Sequence, residues 1–139
     1  MKTTFNLDNI DFKFADDGRS VIYDTEYYYL IDDEQLCIDK GTKSDGASIP
    51  RLFWRSLGSP FVGKHRRACL GHDDLYSKNY KNRKFCDKFM LQLMKEDGVG
   101  FIRRQLIYQG VRMGGWVAWN NHKKRIEKEK LSHLKSVIK

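Results

Sequence analysis

The stretch Lys64-His65-Arg66-Arg67-Ala68-Cys69-Leu70-Gly71-His72-Asp73-Asp74-Leu75-Tyr76-Ser77-Lys78 decides how the chain is read. Ala68, Cys69, Leu70, His72, Leu75 and Tyr76 recur at offsets of three and four, the period of a helix buried over most of its surface. Residues 82–97 repeat the pattern with Phe85, Phe89, Met90, Leu93 and Met94; Asn82 suits the N-cap and Gly98 the stop. A last helix is expected from Val99 or Phe101 onward, carrying Ile102, Leu106, Met113 and Val117. Gly110 and Gly114, four apart on it, predict a groove in close backbone contact with a neighbouring element.

Upstream of Lys64 the texture differs. Gly58-Ser59-Pro60 interrupts a short helix expected over Arg51 to Leu57, with Pro50 at its first position. Gly41 to Pro50 has no periodicity and reads as a loop. Before it, Ile10 to Phe14, Ser20 to Tyr23, Glu26 to Ile31 and Gln35 to Asp39 are short, rich in aromatic and β-branched residues, and separated by acidic turn clusters. They predict a small antiparallel sheet. Its clearest hairpin is Leu30 to Leu36, where polar Asp32, Asp33 and Glu34 form the loop.

The expected fold is therefore α+β: a sheet over residues 1–45, a helical part of three to four helices over 50–121, and a basic tail over 122–139. A chain of 139 residues is one domain by size, 1–139. No apolar run approaches the roughly 18 residues of a membrane span. Met1 to Asn6 has neither an apolar core nor a small-residue cleavage site, so no secretory signal is expected and the chain is placed in a cytoplasm. Cys37, Cys69 and Cys86 are odd in number and widely spaced, which predicts reduced thiols and argues against a disulfide framework or a structural zinc site.

Charge is divided along the chain. Residues 1–45 hold 5 Lys/Arg against 11 Asp/Glu, net −6, and residues 46–139 hold 21 against 7, net +14. The tail alone carries net +5. Such a tail suits nucleic acid, an anionic lipid surface or an acidic partner, and equally a solvated helix. Arg66, Arg67, Arg103 and Arg104 are the further candidates for phosphate contacts or a protein partner.

The chemistry centres on His72. Tyr76, four residues on, shares its helical face, whereas adjacent Asp73 points about 100° away and is poorly placed to orient the ring. Binding a cation beside the imidazole is the natural task for Asp73, while a carboxylate from another helix holds the ring nitrogen. Asp87, lodged between Phe85 and Phe89, is the candidate, with pairing to Arg83 or Lys84 as the alternative. The loop Lys43 to Pro50 adds the Asp45 carboxylate, the Ser48 hydroxyl and free backbone carbonyls. Asp45 is read as a second metal ligand or as a turn former, and Gly46 and Ser48 as a substrate-binding or structural loop. Hard oxygen donors of this kind suit calcium or magnesium. Gly58 to Gly63 offers backbone groups to a substrate oxyanion.

D-G-A-S-I-P at Asp45 to Pro50, A-C-L-G-H-D-D-L-Y at Ala68 to Tyr76, Asp87, and Val111-Arg112-Met113-Gly114-Gly115-Trp116 together resemble the signature of an uncharacterised phage and prophage family, over about residues 20–120. The resemblance implies a phage protein in the host cytoplasm or associated with the virion, and it implies no activity. Residues 68–76 with Asp87 are also similar, over a much shorter span, to the two-helix active site of bacterial and viral phospholipase A2 enzymes. That similarity implies His72 as base, Asp73 as calcium ligand, Asp87 as orienting acid and Tyr76 as support. The glycine-rich calcium loop and the disulfide-forming cysteines of those enzymes are missing from the sequence.

Three readings follow: a hydrolase of esters or amides, with calcium as its candidate cofactor; a non-enzymatic virion component or antagonist of host defence, binding a host or phage protein, with the His/Asp cluster structural; and a nucleic-acid binder acting through the basic half.

Overall fold

In the computed structural model, residues 3–4, 11–18, 20–44 and 63–138 are described. The α+β expectation holds. Six short strands precede four helices among these residues: β1 (Thr3–Thr4), β2 (Phe12–Phe14), β3 (Val21–Tyr23), β4 (Tyr27–Ile31), β5 (Glu34–Ile38), β6 (Lys43–Ser44), α1 (Arg66–Ser77), α2 (Arg83–Glu96), α3 (Phe101–Gly114) and α4 (Trp116–Ile138).

The strands form two three-stranded antiparallel sheets, ordered β1-β4-β5 and β2-β3-β6, where the sequence suggested one. The β4–β5 hairpin is tighter than expected, because Glu34 pairs with Ile31 and leaves only Asp32 and Asp33 in the loop. Both loop residues have positive φ, 45° and 72°, the backbone that a two-residue hairpin with the natural strand twist requires and that Asp tolerates. Lys43 and Ser44, read as loop, instead pair with Ile22 and Val21. This pairing places β6 against α1. Alternation does the rest: Val21 and Tyr23 on β3, and Tyr29 and Ile31 on β4, face inward and are fully buried.

The helices behave as their periods require. Ala68, Cys69, Leu70, His72, Leu75 and Tyr76, the residues that carried the period of α1, are all buried, and α2 buries Phe89, Met90, Leu93 and Met94 with Phe85 half-buried. Each fully buried Leu, Met or Phe contributes about 1.5–3 kcal/mol of transfer free energy. The Asn82 side chain accepts from Phe85 N at 2.9 Å, capping α2, and Gly98 follows it with φ of 75°. All three cysteines are free thiols.

The C-terminal part departs from expectation. One long helix is replaced by α3 and α4, separated by Gly115. Ile102, Leu106, Met113 and Val117 do not face the core; they are exposed, and Ile107 and Val111 are buried in their place. A Cβ on Gly110 would meet nothing within 4 Å, so the expected close contact is absent there. It is found at Gly115. Ala118 and Trp119 pack against the core, and from Lys123 to the end of α4 the helix is exposed apart from half-buried Ile126. No helix among the described residues is long and apolar enough to cross a membrane. The helix expected over Arg51 to Leu57 lies outside the described residues, as does Gly58 to Val62.

Asn82→Ala removes the α2 cap and is expected to lower the unfolding free energy by about 1 kcal/mol, read from the midpoint of a urea titration at unchanged slope.

Candidate functional site

α1 carries His72 and Tyr76 one turn apart, their rings 4.0 Å between centroids and tilted by 41°. α2 packs along α1 and turns Asp87 toward both. His72 Nε2 lies 2.6 Å from Asp87 Oδ1, and the Tyr76 hydroxyl donates to the same oxygen at 2.5 Å. The second oxygen, Oδ2, accepts from Arg112 Nη1 on α3 at 2.6 Å, with Arg83 Nη1 at 3.6 Å. His72 and Asp87 are both completely buried.

This network fixes the electrostatics. Burial pushes the His72 imidazole down, outweighing the pull of Asp87 in the other direction, so the ring is neutral at neutral pH. Burial alone would push Asp87 up, but hydrogen bonds from His72, Tyr76 and Arg112 prevail and hold its carboxyl below the ordinary value. A neutral imidazole facing a carboxylate through Nε2 carries its proton there. The other nitrogen, Nδ1, is therefore a lone-pair acceptor, and it has no hydrogen-bond partner among the described residues. Burial raises the Tyr76 phenol, as does its bond to Asp87, so it remains a donor.

Space at the corner between α3 and α4 is part of the site. A Cβ on Gly115 would stand 2.6 Å from Val111 O and 2.7 Å from the Tyr76 hydroxyl. With φ of −68°, Gly115 is required for room and not for backbone freedom.

Of the other expected site residues, Asp73 is half-buried beside His72, and its charge acts on Tyr23 and Cys69. Asp45, Gly46 and Ser48 lie outside the described residues. The four arginines are dispersed in their contacts. Arg66 sits over the Phe12 ring, Arg67 pairs with Asp97 and Glu96, Arg104 bonds the Val99 carbonyl, and Arg103 is exposed. Among the described residues, Glu26, Cys37 and Asp39 group their ligand atoms within 4.8 Å, on the sheet half of the chain and with both acids exposed.

Three residues escaped the sequence reading. Arg112 was present in the motif without a role, although a carboxylate buried between Phe85 and Phe89 calls for a cation. Gly115 stands beside Gly114, and the four-residue spacing of Gly110 and Gly114 drew attention away from it. Asp74 is buried on the opposite side of α1, accepts from the Tyr29 hydroxyl, and pairs with Lys78 Nζ at 2.5 Å. Its i,i+4 relation to Lys78 was a readable signal. Burial raises its carboxyl, with Lys78 and Tyr29 opposing.

A family described as "Protein of unknown function (DUF1353)" matches residues 20–111. The chain belongs to that family. The matched region runs from β3 into α3 and includes His72, Asp73, Tyr76 and Asp87, while Arg112 lies one residue beyond it. The chain is also similar to "Uncharacterized protein y4jT" of Sinorhizobium fredii (strain NBRC 101917 / NGR234), 47% identical over 36 residues, which is 26% of this chain and 11% of that protein. The chain thus spans about a tenth of that relative. No solved structure matches.

Two outcomes are expected of this geometry. Because the folded-state value of His72 is below its ordinary 6.5, the unfolded chain takes up the proton first, and stability present above that value is lost as pH falls toward the folded value. Asp87 acts in the same direction at lower pH and Asp74 in the opposite one. Urea titrations across about pH 7 to 5 should therefore show a steeper loss for the wild type than for His72→Gln. Separately, Gly115→Ala should destabilise by about 1–3 kcal/mol through overpacking against Tyr76 and the Val111 carbonyl, measured by the shift in thermal midpoint.

Proposed function

We propose that the chain is a hydrolase in which His72 is the general base. The observation that carries this reading is a buried imidazole bonded through Nε2 to Asp87, with Nδ1 free of any partner among the described residues. Nδ1 takes a proton from water as the oxygen attacks an ester or amide carbonyl. Asp87 holds the ring in the required tautomer and balances the imidazolium that forms, and the proton then passes to the leaving group. Tyr76 donates to Asp87 and keeps its position.

Next to His72 in sequence, the half-buried Asp73 carboxylate is a hard-oxygen donor, which fits calcium or magnesium better than zinc. Asp73, with Asp45 as the second ligand that the sequence suggests, would hold such a cation, whose chemistry when bound is to polarise the carbonyl oxygen. The local likeness of residues 68–76 and Asp87 to phospholipase A2 supports the same roles, and the motif resemblance supports a phage or prophage origin. A mixed panel of ester and amide substrates, with calcium or with chelator, tests the reading. Turnover is expected, with a loss of about 100-fold or more in His72→Ala. An inert wild type, or an undiminished His72→Ala, would remove it.

A second reading draws on the zero exposure of His72 and Asp87. A buried hydrogen-bonded network also specifies a unique helix packing without chemistry. In that case the protein acts by binding a host or phage partner or, through its basic half, an anionic surface. A stoichiometric partner whose affinity survives in a folded His72→Ala variant is the outcome expected of this reading.

A further inference from the structure

Asp87 has two acceptor oxygens, and the fold assigns them to different duties. Oδ1 faces His72 and Tyr76, while Oδ2 takes the Arg112 guanidinium at 2.6 Å. Arg112 is itself anchored. Its backbone carbonyl accepts from both terminal nitrogens of Arg83 at 3.2 Å, and Arg83 Nη1 also donates to the Val111 carbonyl at 3.3 Å. Arg83 thus holds the last turn of α3 onto α2 from the same side on which Arg112 reaches Asp87.

The terminal torsion of an aspartate is broad and nearly two-fold, so the carboxylate plane is not set by its own rotamer. Without Arg112, Oδ2 keeps only the Arg83 guanidinium at 3.6 Å, beyond hydrogen-bond distance, and the group is free to turn and share both oxygens between the imidazole and the phenol. We propose that Arg112 is a positioning residue: by occupying Oδ2 it fixes the plane of the Asp87 carboxylate, directs Oδ1 at His72 Nε2, and so holds the imidazole in the tautomer that leaves Nδ1 as the acceptor. Arg112 acts through Asp87 and is separated from the Nδ1 edge by the ring and carboxylate between them. His72 and Tyr76 both come from α1 and meet at Oδ1, and Arg83 stands 3.6 Å from Oδ2, so the hydrogen bond to Oδ2 is supplied by Arg112 from α3. The inference rests on the hydrolase reading for its effect on turnover, and on geometry alone for its effect on the imidazole.

The test is the ring-nitrogen NMR spectrum of the full chain labelled with ¹⁵N-histidine, at one fixed near-neutral pH, with the His72 signals assigned by their loss in His72→Gln. The wild type is expected to give a single Nε2–H tautomer. Arg112→Ala should give a mixture of the two tautomers, and Arg112→Lys, which keeps a cation at Oδ2, should recover the single one. Arg112→Gln, which keeps the aliphatic stem without the charge, is measured beside it in case the alanine variant does not fold. A single Nε2–H tautomer in either folded neutral variant overturns the proposal. So does failure of both to fold, which would make Arg112 a structural anchor only. With a substrate that the wild type turns over, Arg112→Ala should lower kcat by roughly 10- to 100-fold at unchanged KM, as removal of an outer partner does elsewhere. A wild type with no turnover counts against the hydrolase reading and leaves the tautomer result standing.

Discussion

A carboxylate buried without contact with water costs several kcal/mol unless its oxygens are paired, and the helical half of this protein is arranged around paying that cost at Asp87. Three helices contribute to it: α1 sends His72 and Tyr76, α2 supplies Arg83 one turn away, and α3 brings Arg112. Withdrawing any one leaves charge or a hydrogen-bond donor stranded in the interior. The crossing of the three helices is thereby specified by polar geometry, where apolar packing alone would tolerate several arrangements.

The same helix links this network to the sheets. Positions 72 and 74 lie on opposite sides of α1, so His72 looks toward α2 and α3 while Asp74 meets Tyr29 of β4 and Lys78. The Tyr80 hydroxyl, donating to Glu34 at 2.5 Å, ties the turn after α1 to the β4–β5 hairpin. Arg67, bonded to Asp97 at 2.9 Å, ties the start of α1 to the end of α2. α1 is consequently held along its length by hydrogen bonds to both halves, and the position of the imidazole follows from contacts on either side. Such a scaffold suits a base that must keep one orientation, and it equally suits a structural lock.

Much of this is legible in the sequence. The burial of α1 and α2, the Asn82 cap, the stop at Gly98 and the strand segments all depend on local rules, so spacing and turn chemistry sufficed to place them. The face shared by His72 and Tyr76 follows from helical period, and a partner for Asp87 followed from the cost of a carboxylate among phenylalanines. The apolar positions Ile102, Leu106 and Met113 misled for a definite reason. Period reveals that a helix has an apolar stripe, but which stripe is covered depends on what packs there, and α3 turns Ile107 and Val111 inward. The division into two sheets was hidden likewise, since strand identity does not encode which edge a distant strand joins.

By itself the amino-acid sequence determined the helical periods, the caps and turns, and the presence of an imidazole and an acid that needed each other. Tertiary structure alone decided that Arg112 closes the ion pair from 25 residues away, that Gly115 and not Gly110 is the point of close approach, and that β6 joins β3 beside α1. The physical reason is range. Torsional preference and hydrophobic period act over a few residues and are written in spacing, whereas the pairing of remote groups depends on which elements the collapsed chain brings into contact.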